Sequence, residues 1–92
     1  MDLASLRAEI DRLDEELLAL FLRRMEIVED IASYKIKNGL PVLHPAREQE
    51  VIAKARYRAA GDEMGDYAEE LFTSLMALSR RLQEQLIENR SQ

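Results

Sequence analysis

Counting in steps of three and four from Leu6 picks out Leu6, Ile10, Leu13, Leu17, Leu20, Arg24, Ile27, Ile31 and Tyr34. Eight of these nine residues are apolar, at the alternating spacing of a helix stripe that packs against other helices. Asp2 suits the N-cap of that helix, and the pattern continues to about Lys37. Asn38-Gly39 then supplies a left-handed stop, with Pro41 just beyond. A helix of about 35 residues is roughly 52 Å long, whereas a compact chain of this size has a radius of gyration of about 12 Å. The first helix therefore overhangs any core its own chain can build. A second copy covering the stripe is the simplest remedy; a break near Glu29-Asp30 is the alternative.

The remaining pattern is also helical. Leu40 to His44 form a connection, and Pro45 suits a first helical position with His44 as an imperfect cap. A second helix is expected from Pro45 to about Ala60, with Val51, Ile52 and Ala55 as its apolar face. Gly61-Asp62-Glu63-Met64-Gly65 reads as a turn. Asp66 with Glu69 three residues on then reads as a capping-box-like start for a third helix reaching about Asn89. The expected architecture is one all-α domain over residues 1–92, with helices at about 2–37, 45–60 and 66–89.

The net charge of −5 excludes a general attraction to nucleic acid or to an anionic membrane surface. Any anion site must be local. With no cysteine, neither a disulfide scaffold nor a thiolate metal site is available. The opening MDLASLRAEIDR lacks a basic region followed by an apolar run, and no stretch is apolar enough to span a bilayer. A cytoplasmic protein is expected.

Arg24 is the polar exception in the seam. A guanidinium does not lose its proton, so burying it is costly unless a protein carboxylate or an anionic ligand meets it. Lys35, eleven positions later, points within about 20° of Arg24 at a separation of about 16 Å, a gap two long side chains bridge around a small ligand. Arg7 lies about 26 Å the other way and points about 100° off, so if it serves the same ligand it comes from a second subunit. Arg47 and Glu48 fall in the first turn of the second helix, beside free backbone N–H groups. Ser79 and Gln83, one turn apart, interrupt an apolar row of Phe72, Met76 and Leu86.

Each residue also has a plainer reading. Arg24 pairs with an internal glutamate, Arg7 and Lys35 are solvated, Arg47 and Glu48 dress a helix start, and Ser79 and Gln83 fix register. His44, the sole histidine, is a loop or cap residue, and with Glu48 it offers too few ligands for a metal. Neither a glycine-rich phosphate loop nor a repeated Glu-x-x-His pattern occurs, and Ser79 has no histidine partner for nucleophilic work.

Taken together the charged set resembles the all-helical class of chorismate mutases over nearly the whole chain. The matching stretches are Leu6-Arg7 through Ile10-Asp11 with Leu13-Asp14, Leu17-Leu18 through Arg23-Arg24, Ile31-Ala32 to Lys35, Pro41-Val42 to Arg47-Glu48, and Ser79 to Gln83. The resemblance implies a domain-swapped homodimer that converts chorismate to prephenate without a cofactor, on the route to phenylalanine and tyrosine. It implies that Arg24, and Arg7 from the partner chain, clamp the two substrate carboxylates with support from Arg47. Lys35 and Gln83 would donate to the ether oxygen, Glu48 would accept from the ring hydroxyl, and Ser79 would contact a carboxylate. His44 departs from the pattern, since the best-known members have an aspartate just before the second helix. Two alternatives share the scaffold: an isochorismate pyruvate-lyase, and a helical dimer serving only as an interaction module. The loop from Lys35 to Arg47 favours the mutase, and the retained charged set disfavours the module.

Overall fold

The computed structural model describes residues 2–90, which form three helices and no strand: α1 (Leu3–Asn38), α2 (Pro45–Arg58) and α3 (Gly61–Arg90). The first helix is unbroken through Glu29 and Asp30. Its 36 residues account for the 54 Å long dimension of the molecule, whose other extents are 26 and 14 Å. The radius of gyration is 16.5 Å, well above that of a compact chain of this length.

Both ends of α1 are closed by local chemistry. The Asp2 carboxylate accepts a hydrogen bond from the Ser5 N–H at 2.8 Å, which holds its pKa below the ordinary value. At the other end Gly39 adopts φ 64°, a left-handed conformation that favours glycine. Its N–H bonds the Ile36 carbonyl while the Leu40 N–H bonds the Lys35 carbonyl, a complete Schellman motif. The helix end therefore fixes the backbone of Lys35. Helix α2 starts with Pro45 after His44, whose Nδ1 accepts from the Arg47 N–H at 3.0 Å.

The third helix starts five residues earlier than the pattern predicts. Gly61 (φ 86°) is its entry, and the segment expected as a turn is its first helical turn, with Asp62 and Glu63 placed favourably at the N-terminus. Gly65 is buried in this turn, close enough to α2 that an added Cβ would lie 3.3 Å from Arg56 Cγ. Asp66 and Glu69 do not cap the helix. Both carboxylates instead take Arg56 Nη1 at 2.7 Å, tying α2 to α3 and raising the Arg56 pKa. Helix α2 ends at Arg58, two residues before its expected end.

Helix α3 packs against both other helices. On α1 its partners are Val28 and Ala32, which are buried together with Met76. Each lies one position beyond a member of the seam, Ile27 or Ile31, and so is rotated about 100° from it. The seam itself is bare. All eight of its apolar residues are exposed, from Leu6 at 39% to Leu20 at 69%. So α1 carries two apolar faces, a short one used within the chain and a long one left uncovered. No large side chain is completely buried among the described residues, a very small core for a chain of this size.

Candidate active site

The C-terminal half of α1, the start of α2 and the middle of α3 enclose a cavity of about 380 Å³. Seven of the eight predicted residues line it: Arg24, Lys35, His44, Arg47, Glu48, Ser79 and Gln83. Arg7 is absent from the lining and sits in the exposed N-terminal part of α1, as the uninterrupted helix requires. Val28, Ile31, Val51 and Met76 supply an apolar surface between the polar groups.

Arg24 is half-buried and forms no ion pair within the described residues; its Nη1 donates to Ser79 Oγ at 2.6 Å. Desolvation, and then the neighbouring positive charge of Arg47, push its pKa below the ordinary guanidinium value. It nevertheless remains charged, because that value starts so high. Ser79 is buried and hands its own proton to the Leu75 carbonyl at 2.8 Å, so toward Arg24 it is purely an acceptor.

Lys35 is held by two neutral acceptors, the Val42 carbonyl at 2.8 Å and Gln83 Oε1 at 3.0 Å. Two of its three N–H donors are thus used in fixing the ammonium, leaving one for a ligand. The buried Gln83 amide is oriented in turn by donation from Nε2 to the Ser79 carbonyl at 3.2 Å, leaving its other N–H available. Ser79 and Gln83 thus hydrogen-bond both to carbonyls of their own helix and to the cationic side chains of α1.

The other cations each meet a carboxylate. Arg47 Nη1 meets Glu50 at 2.9 Å, and Lys54 meets the same oxygen at 3.0 Å, which holds the Glu50 pKa down. Arg80 Nη1 straddles the Glu48 carboxylate, 3.0 Å from Oε1 and 3.3 Å from Oε2. Sequence reasoning missed Arg80. The signal was there: it lies four residues after Met76 and three before Gln83, on the same face of α3. It also missed the Val42 carbonyl, whose position only the loop conformation sets. In sum, Arg24, Lys35, Arg47 and Arg80 face Glu48 and Glu50. Once the ion pairs are discounted, Arg24 and Lys35 remain as two charges bonded only to neutral oxygens. Among the described residues no group of His, Cys, Asp or Glu is arranged to hold a metal ion.

The sequence profile of the family described as chorismate mutase type II matches residues 6–84. The chain belongs to this family. Curated relatives include the T-protein of Haemophilus influenzae, 42% identical over 57 residues, covering 62% of this chain and 15% of the relative. The intracellular chorismate mutase of Mycobacterium tuberculosis is 40% identical over 67 residues, 73% of this chain and 62% of the relative. The 4-amino-4-deoxychorismate mutase of Streptomyces venezuelae is 41% identical over 59 residues, 64% of this chain and 57% of the relative. The chain thus spans between about a sixth and three fifths of the length of these relatives. No solved structure matches it. The three-helix, strandless architecture agrees with the all-helical class to which the family belongs. No helix among the described residues is long and apolar enough to cross a membrane.

Proposed function

We propose that the chain is a cytoplasmic chorismate mutase, rearranging chorismate to prephenate within a homodimer. The observation that carries this reading is the pair Arg24 and Lys35, two cations in one cavity with no carboxylate of the described residues against either. Such a pair suits a doubly charged guest. Leaving both uncompensated otherwise costs stability without return.

The rearrangement is unimolecular, and it needs no nucleophile, general base or cofactor. What the protein must do is hold the enolpyruvyl side chain over the ring and stabilise the negative charge that grows on the ether oxygen. Arg24 holds one carboxylate. Ser79 aims Arg24 and reaches the same carboxylate itself when its hydroxyl turns from Leu75. The free N–H groups of Lys35 and Gln83 start from side chains 3.0 Å apart, and that proximity supports their converging on one oxygen. Arg47 adds positive potential, and Glu48 accepts from the ring hydroxyl. His44 contributes through the backbone it caps, which supports tolerance of histidine at this position.

The exposed seam of α1 supports the dimer. Leu6, Ile10, Leu13, Leu17 and Leu20 form an uncovered row far longer than monomers ordinarily expose, and a second copy presents the same row. That copy brings Arg7, about 26 Å from Arg24 along its own helix, to the other chain's cavity as the second carboxylate clamp. Incubating purified protein with chorismate, and in parallel with isochorismate, while following ultraviolet absorbance tests the assignment. Prephenate formed from chorismate is the expected result. Pyruvate release from isochorismate alone would make it a lyase, and inertness toward both would leave an interaction module.

A further inference from the structure

We propose that Arg80 is a specificity-determining positioning residue, which by pairing with Glu48 makes the site select a hydroxyl over an ammonium at ring carbon 4 of the substrate. The inference rests on the chorismate mutase reading above. Of the two carboxylates that line the cavity among the described residues, Glu48 is the one well shielded from water, its side chain 17% exposed against 51% for Glu50. A bare carboxylate in such a place attracts a substrate ammonium more strongly than a hydroxyl, because charge adds to the hydrogen bond. The relative from Streptomyces venezuelae, named a 4-amino-4-deoxychorismate mutase, shows that the amino substrate falls within the chemistry of similar chains. An aliphatic amine carries a proton at neutral pH.

In this chain Glu48 is not bare. One guanidinium nitrogen of Arg80 sits across both of its oxygens, cancelling the charge while leaving lone pairs open on each. A hydroxyl loses nothing by this, since it needs an acceptor and carries no charge. An ammonium placed on Glu48 would be drawn to the carboxylate and repelled by Arg80 a few ångströms further on. At an effective dielectric of about 20, a like charge some 6 Å away is worth on the order of 100-fold in binding. The specificity comes from a repulsive element beside an attractive one. The cavity as a whole points the same way. Its two uncompensated cations match a dianion, whereas the amino substrate bears a net charge one unit more positive.

The test measures kcat/KM for chorismate and for 4-amino-4-deoxychorismate with the wild-type protein, Arg80→Leu and Arg80→Lys. Circular dichroism and molar mass establish that each variant is folded and assembled. The expected result is a wild-type preference for chorismate that falls at least tenfold in Arg80→Leu, chiefly because turnover of the amino substrate rises, and that Arg80→Lys largely keeps. A structural role for Arg80 would depress both substrates together and leave their ratio unmoved. An unchanged ratio in folded Arg80→Leu, or an equal loss of preference in Arg80→Lys, overturns the proposal. A wild-type protein inert toward both substrates instead removes the functional reading, and this inference with it.

Discussion

Replacing Lys35 by alanine separates what the ammonium does for the fold from what it does for the reaction. In the resting protein Lys35 Nζ donates to the Val42 carbonyl and to Gln83 Oε1, at 2.8 and 3.0 Å. Water replaces the donor at Val42, which lies in the half-exposed loop. Gln83 is 6% exposed, so its oxygen is left without a partner. A buried acceptor that loses its donor costs about 1–3 kcal/mol, which bounds the loss of stability. The kinetic loss should be larger. A preorganised charged donor to a developing oxyanion is typically worth about 10²–10³ in kcat, or roughly 2.7–4 kcal/mol. Because that charge exists only in the transition state, kcat and kcat/KM should fall together while KM moves little. The assay is the disappearance of chorismate absorbance at saturating substrate, well below the melting temperature recorded for the same sample. A folded Lys35→Ala protein whose kcat stays within about threefold of wild type would refute the assignment. Gln83→Ala combined with Lys35→Ala should cost less than the product of the single losses if, as proposed, both donors act on one oxygen.

Arg24→Ala is expected to lower kcat/KM about 100-fold or more, yet leave the melting temperature unchanged or raised, because it removes a desolvated cation that Arg47 already repels. Calorimetry and steady-state kinetics on one preparation check both halves. Leu17→Glu alters a side chain that is 57% exposed in the single chain, so its own packing loses little. If a second copy covers it, the variant should run at half the wild-type molar mass in analytical ultracentrifugation and lose activity, and a fully active dimer would contradict the assembly. Glu50→Gln tests the ion pairs to Lys54 and Arg47, which lower the Glu50 pKa below its ordinary value of 4.5. A carboxylate with a depressed folded-state pKa contributes stability above its unfolded value and loses it as pH falls through the folded one. The variant should therefore be slightly less stable than wild type at neutral pH and equal to it in acid below that range, as thermal melts at the two pH values will report.

Much of the architecture was legible because helix periodicity and end signals are local. Asp2, Gly39 and Pro45 act within a few residues of themselves, so α1 and the start of α2 fall where the pattern puts them. The start of α3 was misread because Asp66 and Glu69 have the spacing of a cap but a better partner in Arg56, ten and thirteen residues back on another helix. A hydrogen-bonding side chain takes the strongest donor in reach, and which donor is in reach is a tertiary matter. Gly65 likewise looks like turn punctuation, whereas its small size is used for the approach of α2 to α3.

The sequence by itself determined the three helices, the fact that α1 outruns its own chain, and seven of the polar residues that line the cavity. Spacing and side-chain chemistry suffice for these. Only the tertiary structure decided which cations keep their charge uncompensated. Ser79 and Gln83 come to Arg24 and Lys35 from 55 and 48 residues away, and Glu48 goes to Arg80 on another helix, whereas the Glu50–Arg47 pair is local to α2. Ion pairing depends on separations of a few ångströms, and across helices those are set by packing at Val28, Ala32 and Met76.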